Sequence, residues 1–100
     1  MYMIDLDQIT GFEWDQANKD KSFIKHKITA NESEEIFLDE NLVSFDDIKH
    51  SQKEPRYIAL GKTRDNKILF VIFTIRSSQI RIISARLANK KEKKIYEKQT

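Results

Sequence analysis

From Tyr57 to Ala85 the chain reads YIALGKTRDNKILFVIFTIRSSQIRIISA. Three β-branched or aromatic runs, Tyr57–Gly61, Ile68–Arg76 and Gln79–Ala85, are separated by short polar turns at Arg64–Lys67 and Ser77–Ser78. This spacing predicts a three-stranded antiparallel meander. The middle run is apolar on both parities, with Ile68, Phe70 and Ile72 on one side and Leu69, Val71 and Phe73 on the other. Such a strand needs cover on both faces of its sheet.

Upstream of the meander, residues 10–15 alternate apolar and polar and read as a short strand. Asp15 can cap a helix running to about Ile28, with Ala17, Ile24 and Ile28 at helical spacing. A second helix starts at Thr29 or Asn31, since Thr29 with Glu32 and Asn31 with Glu34 both have capping-box spacing. Ile36, Phe37 and Leu38 are its expected core contacts. Residues 39–55 are acidic and irregular, with a short strand possible around Leu42–Phe45. A last helix spans residues 89–98, capped by Asn89 with Glu92 three positions on. Ile95 and Tyr96 are its main apolar groups, so it reads as a basic arm more than a core element. The two N-terminal helices can cover one sheet face; the terminal helix or another chain is expected on the second.

The chain has 100 residues, 39% of them apolar, which suits one domain with one core. Six Phe, three Tyr and a Trp argue against global disorder. Without cysteine, disulfides, thiolate zinc sites and cysteine nucleophiles are excluded. Ile68–Ile75 is the longest apolar run, too short to cross a bilayer, and residues 1–10 lack the basic start of a secretory signal. These features lead us to expect a soluble cytoplasmic protein with no membrane partner.

Charge is divided sharply along the chain. Pro55–Thr100 holds 12 Lys/Arg against three acids, a local net of +9. Met1–Glu54 holds six Lys against 13 acids, a local net of −7. The modest overall +2 therefore conceals a strongly basic half, and nucleic acid is the first partner to consider.

Three groups of residues could carry chemistry. Arg81 and Arg86, followed by Lys90, Lys91, Lys93 and Lys94, place forked donors on a strand beside a diffuse positive field. In a regular strand, however, Arg81 and Arg86 point to opposite faces, and only a twist, a bulge or an early strand end brings them together. The plainer reading is a solvated basic face with Arg81 in a structural ion pair. His50, Glu54 and Arg56 form the second group. Cleaving a phosphodiester with its neighbouring 2′-hydroxyl needs a proton acceptor, a proton donor and cations at the phosphate, and these residue types supply all three. Lys25 and His26 form the third group, where a cation closing the first helix also satisfies its dipole. Two histidines and scattered carboxylates give no metal-ligand spacing, and no cofactor motif is present.

Phe12-Glu-Trp-Asp, Lys25-His26-x-Ile28, Phe37-Leu38-Asp39, His50-Ser51, Glu54-x-Arg56, Gly61 and Ile80-Arg-Ile-Ile-Ser-Ala-Arg occur in this order. The set resembles BrnT-type toxins, small ribonucleases of bacterial type II toxin–antitoxin pairs, from about Phe12 to Glu97. The resemblance implies an α+β, RelE-like single domain over residues 1–100. In it, two N-terminal helices pack on an antiparallel sheet made of an N-terminal strand and the meander. It also implies ribonuclease activity on cellular RNA, which we expect to be metal-independent, and neutralisation by a BrnA-like ribbon-helix-helix antitoxin, with operator DNA expected to be bound only through the complex. His50, Glu54, Arg56, Arg81 and Arg86 become the catalytic candidates, Arg81 and Arg86 as the phosphate holders. Lys25, His26, Arg76, Ser84, Lys90, Lys91, Lys93 and Lys94 become the RNA-binding candidates.

The chain departs from the family pattern in three places. Lys27 stands where a glycine usually ends the first helix, so another turn conformation is expected there. Gln16 replaces a common proline, and Glu40–Lys49 lacks the usual prolines. Two rival functions remain: a non-catalytic co-repressor module acting with a DNA-binding partner, and a basic RNA-binding domain without nuclease activity.

Overall fold

A computed structural model describes residues 8–14, 20–21, 25–50 and 53–98, the side chain of His50 excepted. Its elements are β1 (Gly11–Trp14), α1 (Ala30–Glu35), a 3-10 turn (Ile36–Leu38), β2 (Val43–Asp46), a 3-10 turn (Ile48–His50), β3 (Tyr57–Lys62), β4 (Ile68–Arg76), β5 (Gln79–Leu87) and α2 (Lys90–Glu97). The strands form one sheet in the order β1-β5-β4-β3-β2.

The meander is present, with its turns at the expected places. Ser77 and Ser78 both take positive φ, 50° and 64°, the mirror-image geometry that matches the twist of a two-residue hairpin. The sheet contains the short strand thought possible before the meander, and it differs from expectation in the direction of β1. The stretch around Leu42–Phe45 is a real fifth strand, antiparallel to β3. β1 lies parallel to β5, pairing Phe12 with Ile80 and Trp14 with Ile82, so the sheet is mixed, not antiparallel. The alternation at residues 10–15 reveals a strand but carries no information about its direction relative to a partner nearly 70 residues away.

α1 is capped by Thr29, whose hydroxyl accepts from the Glu32 N–H while the Glu32 carboxylate accepts from the Thr29 N–H. It is short and continues as the 3-10 turn. Ile36 and Phe37 are buried, but Leu38 is 77% exposed because the tightened turn swings it outward. Of the expected first helix, Asp20, Lys21, Lys25 and His26 are helical, and residues 15–19 and 22–24 lie outside the described part. Among the described residues α1 is the one complete N-terminal helix. Lys27 follows at φ 60°, so the turn keeps the left-handed conformation that a glycine would supply, with a lysine in it.

The core lies on one sheet face, where Ile28, Ile36 and Phe37 pack against Leu69, Val71, Phe73, Ile80, Ile82 and Ala85. Phe37 meets Phe73 edge-on at 5.2 Å. Gly61 lets this layer close, since a Cβ there would sit 2.7 Å from the Ile36 Cβ. On the second face, Tyr96 of α2 is buried with Val43 and Leu60, and Ile95, Ile68 and Phe70 pack around them. The Tyr96 hydroxyl donates to Asp39 Oδ2 at 2.5 Å. α2 is therefore a packed element that covers one end of the second face, not the loose arm expected; one aromatic ring with a buried acceptor is enough to seat it. No helix among the described residues is long and apolar enough to cross a membrane.

Candidate nucleic-acid interface

The second face is built around an irregularity in β5. Ile72 of β4 pairs with Ser84 and Phe73 pairs with Ile82, which leaves Ile83 without a partner. This bulge reverses the parity of the strand. Before it, Ile80 and Ile82 face the core and Arg81 faces away; after it, Ala85 faces the core and Ser84 and Arg86 face away. Arg81, Ser84 and Arg86 consequently line one face, opposite Thr74, Ile72 and Phe70 of β4.

The loop before β3 is fastened to the same face. The Thr74 hydroxyl donates to the Pro55 carbonyl at 2.6 Å, and the Asp47 N–H donates to the Arg56 carbonyl at 2.8 Å. Arg76 grips the Glu54 carboxylate with two donors, Nε to Oε2 at 2.9 Å and Nη2 to Oε1 at 2.8 Å. That hydrogen bonding holds Glu54 below the usual carboxylate range, and the nearby charges of Arg56 and Arg81 add to the effect. Glu54, Arg56, Arg76 and Arg81 thus form one electrostatic group around an ionised carboxylate. Arg81 also pairs with Glu13 of β1 at 3.2 Å, the structural ion pair that the plainer reading anticipated.

Arg86 lies in a different setting. Its guanidinium stacks on the Phe70 ring at 3.9 Å. Its Nη1 and Nη2 donate to the two Glu92 oxygens at 2.8 and 2.9 Å, and Nη1 also donates to the Leu87 carbonyl. Burial pushes Glu92 up, but hydrogen bonds from Arg86 and the Asn89 backbone outweigh this and leave it below its ordinary value. Much of the donor fork expected to hold phosphate is therefore engaged within the protein. Beside Arg86 opens a pocket of roughly 390 Å3 lined by Lys21, Lys25, His26, Phe70, Ile72, Ile83, Ser84 and Arg86.

The structure thus brings Glu54, Arg56, Arg76 and Arg81 together, and places Lys25, His26 and Ser84 with Arg86, all along the second face. Lys90, Lys91, Lys93 and Lys94 are exposed on α2. The His50 backbone ends the turn after β2, and its side chain is outside the described part. Sequence reasoning missed Glu13, Glu92 and Lys21. The pairing of Glu92 with Arg86 is concealed because Glu92 also serves as the N3 residue of a capping box. Among the described residues, no three His, Cys, Asp or Glu side chains gather as a metal site would require.

No curated protein matches the chain. The crystal structure of the Brucella abortus ribonuclease toxin BrnT superposes with a TM-score of 0.60 at 23% identity, over 80% of this chain and 97% of that one. At that identity the likeness establishes the fold. A family described as the ribonuclease toxin BrnT of type II toxin-antitoxin systems matches residues 14–92. The chain accordingly belongs to the BrnT family of ribonuclease toxins of type II toxin–antitoxin systems.

Proposed function

We propose that this protein is an endoribonuclease toxin that cuts cellular RNA in the cytoplasm, inhibiting translation and growth. The observation that carries this reading is the bulge at Ile83, which sets Arg81 and Arg86 on one face beside Glu54, Arg56 and Arg76. In the proposed reaction the substrate's 2′-oxygen attacks the adjacent phosphorus. Glu54, ionised at neutral pH, accepts the 2′-hydroxyl proton as the new P–O bond forms. The P–O5′ bond breaks, and His50 supplies a proton to the departing 5′-oxygen. Arg81, with Arg56 and Arg76 around it, holds the phosphate and stabilises the charge that develops there. A carboxylate so firmly held by Arg76 is a weak base, which assigns most of the acceleration to these cations. Because arginines and lysines fill the electrostatic role, the activity is proposed to be metal-independent. Lys25, His26, Ser84 and Arg86 bind the adjoining RNA, and Lys90, Lys91, Lys93 and Lys94 attract it.

A BrnA-like ribbon-helix-helix antitoxin is the proposed partner, with operator DNA reached only through the complex. An acidic segment laid over Arg81, Arg86 and α2 would block RNA by competition. Hydrogen-exchange protection on binding the antitoxin should then concentrate in residues 68–98; protection confined to residues 31–47 would contradict this mode of neutralisation.

One observation favours the second reading, a non-catalytic co-repressor. Arg76, Arg81 and Arg86 each already face a carboxylate, from Glu54, Glu13 and Glu92. Incubating the purified protein with RNA in EDTA separates the two. A ribonuclease cuts the RNA, whereas a co-repressor leaves it intact and tightens operator binding by its partner.

A further inference from the structure

We propose that the pocket beside Arg86 is a subsite for one unpaired nucleobase of the RNA, with the attached phosphate held by Lys21 and Lys25. The inference rests on the ribonuclease reading and specifies the substrate as single-stranded. The pocket's floor is apolar, formed by Phe70, Ile72 and the bulged Ile83, while exposed lysines stand at its rim. Its size falls within the range of about 300–1,000 Å3 typical of small-ligand sites. A phosphate alone has no use for an apolar floor, and an apolar ligand has no use for the lysines. A nucleotide needs both.

Arg86 supplies the recognising surface. One face of its guanidinium lies on Phe70, and most of its Nη donor capacity is engaged by Glu92 and the Leu87 carbonyl. Its side chain nonetheless remains 36% exposed. What it offers a ligand is chiefly the flat face turned away from Phe70, held rigid from below and from the side. Guanidinium planes and aromatic rings are the surfaces on which single-stranded bases stack. A base inside a duplex is stacked and paired already, so only an unpaired one can enter. Glu92 acts as a positioning residue, fixing the shelf from α2.

The test is an NMR titration of the full-length protein with adenosine 5′-monophosphate, uridine 5′-monophosphate and ribose 5-phosphate. The nucleotides should bind at least tenfold more tightly than the sugar phosphate and shift the resonances of Phe70, Ile72 and Ser84. Arg86→Lys, which keeps the charge and loses the plane, should erase that preference; Lys25→Glu should weaken all three ligands. Equal affinity for nucleotides and ribose 5-phosphate in the wild-type protein would overturn the subsite without relying on any variant. So would shifts confined to the surroundings of Glu54 and Arg76. The same sample is assayed on RNA: cleavage without a nucleotide preference removes the subsite alone, whereas nucleotide binding without cleavage keeps the subsite and removes the ribonuclease reading.

Discussion

Arg81 and Arg86 lie five positions apart on one strand, a spacing that should send them to opposite faces, yet they share a face because Ile83 has no partner on β4. The extra residue bends the strand and re-aims everything after it. Without it, the ladder before the bulge would run on to set Arg86 opposite Leu69, on the core face, and the basic surface would divide between two sides. The shared basic face exists because of one unpaired isoleucine.

Lys27→Gly should stabilise the protein. Lys27 holds φ 60°, a conformation that costs a side-chain-bearing residue roughly 1–2 kcal/mol and glycine much less, part of the gain being returned as unfolded-state entropy. The expected net gain is about 1 kcal/mol, or some 4–8 °C in the melting temperature of a domain this size. A lower melting temperature would show that contacts of the lysine outweigh its backbone strain.

The strands of the meander are legible from sequence because β-branched runs and polar turns are local signals. The direction of β1 and the bulge are not. Ile82 and Ile83 are chemically alike, so no pattern tells which one drops out of the ladder; the register is decided by what Arg81 and Ala85 each gain from their own side. The seat of α2 was also hidden, because Tyr96 counts as one apolar residue in a basic helix until Asp39, 57 positions earlier, is placed against its hydroxyl. The candidate site was legible as residue types and incomplete as a geometry. Arg86 could be singled out, but not its commitment to Glu92 and Phe70.

Tyr96 should link stability to alkaline pH. Burial, and then its hydrogen bond to Asp39, push the phenol above its ordinary value of 10.0. The neutral phenol is favoured in the folded state, so its contribution is complete below about pH 10 and is lost as pH rises beyond that. Tyr96→Phe should remove this alkaline loss while costing about 1 kcal/mol at neutral pH for the missing hydrogen bond. Tyr96→Ala should cost about 3 kcal/mol and free α2. Denaturant titrations across pH, with hydrogen exchange in Lys90–Glu97, would report both. An α2 that stays protected in Tyr96→Ala would contradict the anchoring role.

Glu92 should act on the acid side. Its folded-state value lies below the ordinary 4.5, so the unfolded chain takes up its proton first as pH falls. The stability it confers is present above about pH 4.5 and is lost as pH drops from there through the folded value. Glu54 has the same sign and contributes less, being at the surface. Glu92→Gln should therefore be less stable than the wild type at neutral pH and should converge towards it in acid. Parallel stability curves for the two proteins would show that the Arg86 pairing does not govern this titration.

The central claim is that RNA is cut on the face that the bulge assembles. Its most direct test is the cleavage rate of a single-stranded RNA in EDTA for the wild type, Arg81→Ala, Arg86→Ala and Lys93→Ala, with melting temperatures measured alongside. Loss of one preorganised donor at the phosphate costs about 3 kcal/mol, so Arg81→Ala should cut roughly a hundredfold more slowly. Arg86→Ala, losing a stacking surface, should lose about tenfold or more. Lys93→Ala, on the exposed side of α2, should lose only a few-fold, and less at high salt. Intact melting with equal, small losses in all three variants, or no cleavage by the wild-type protein, would contradict the account.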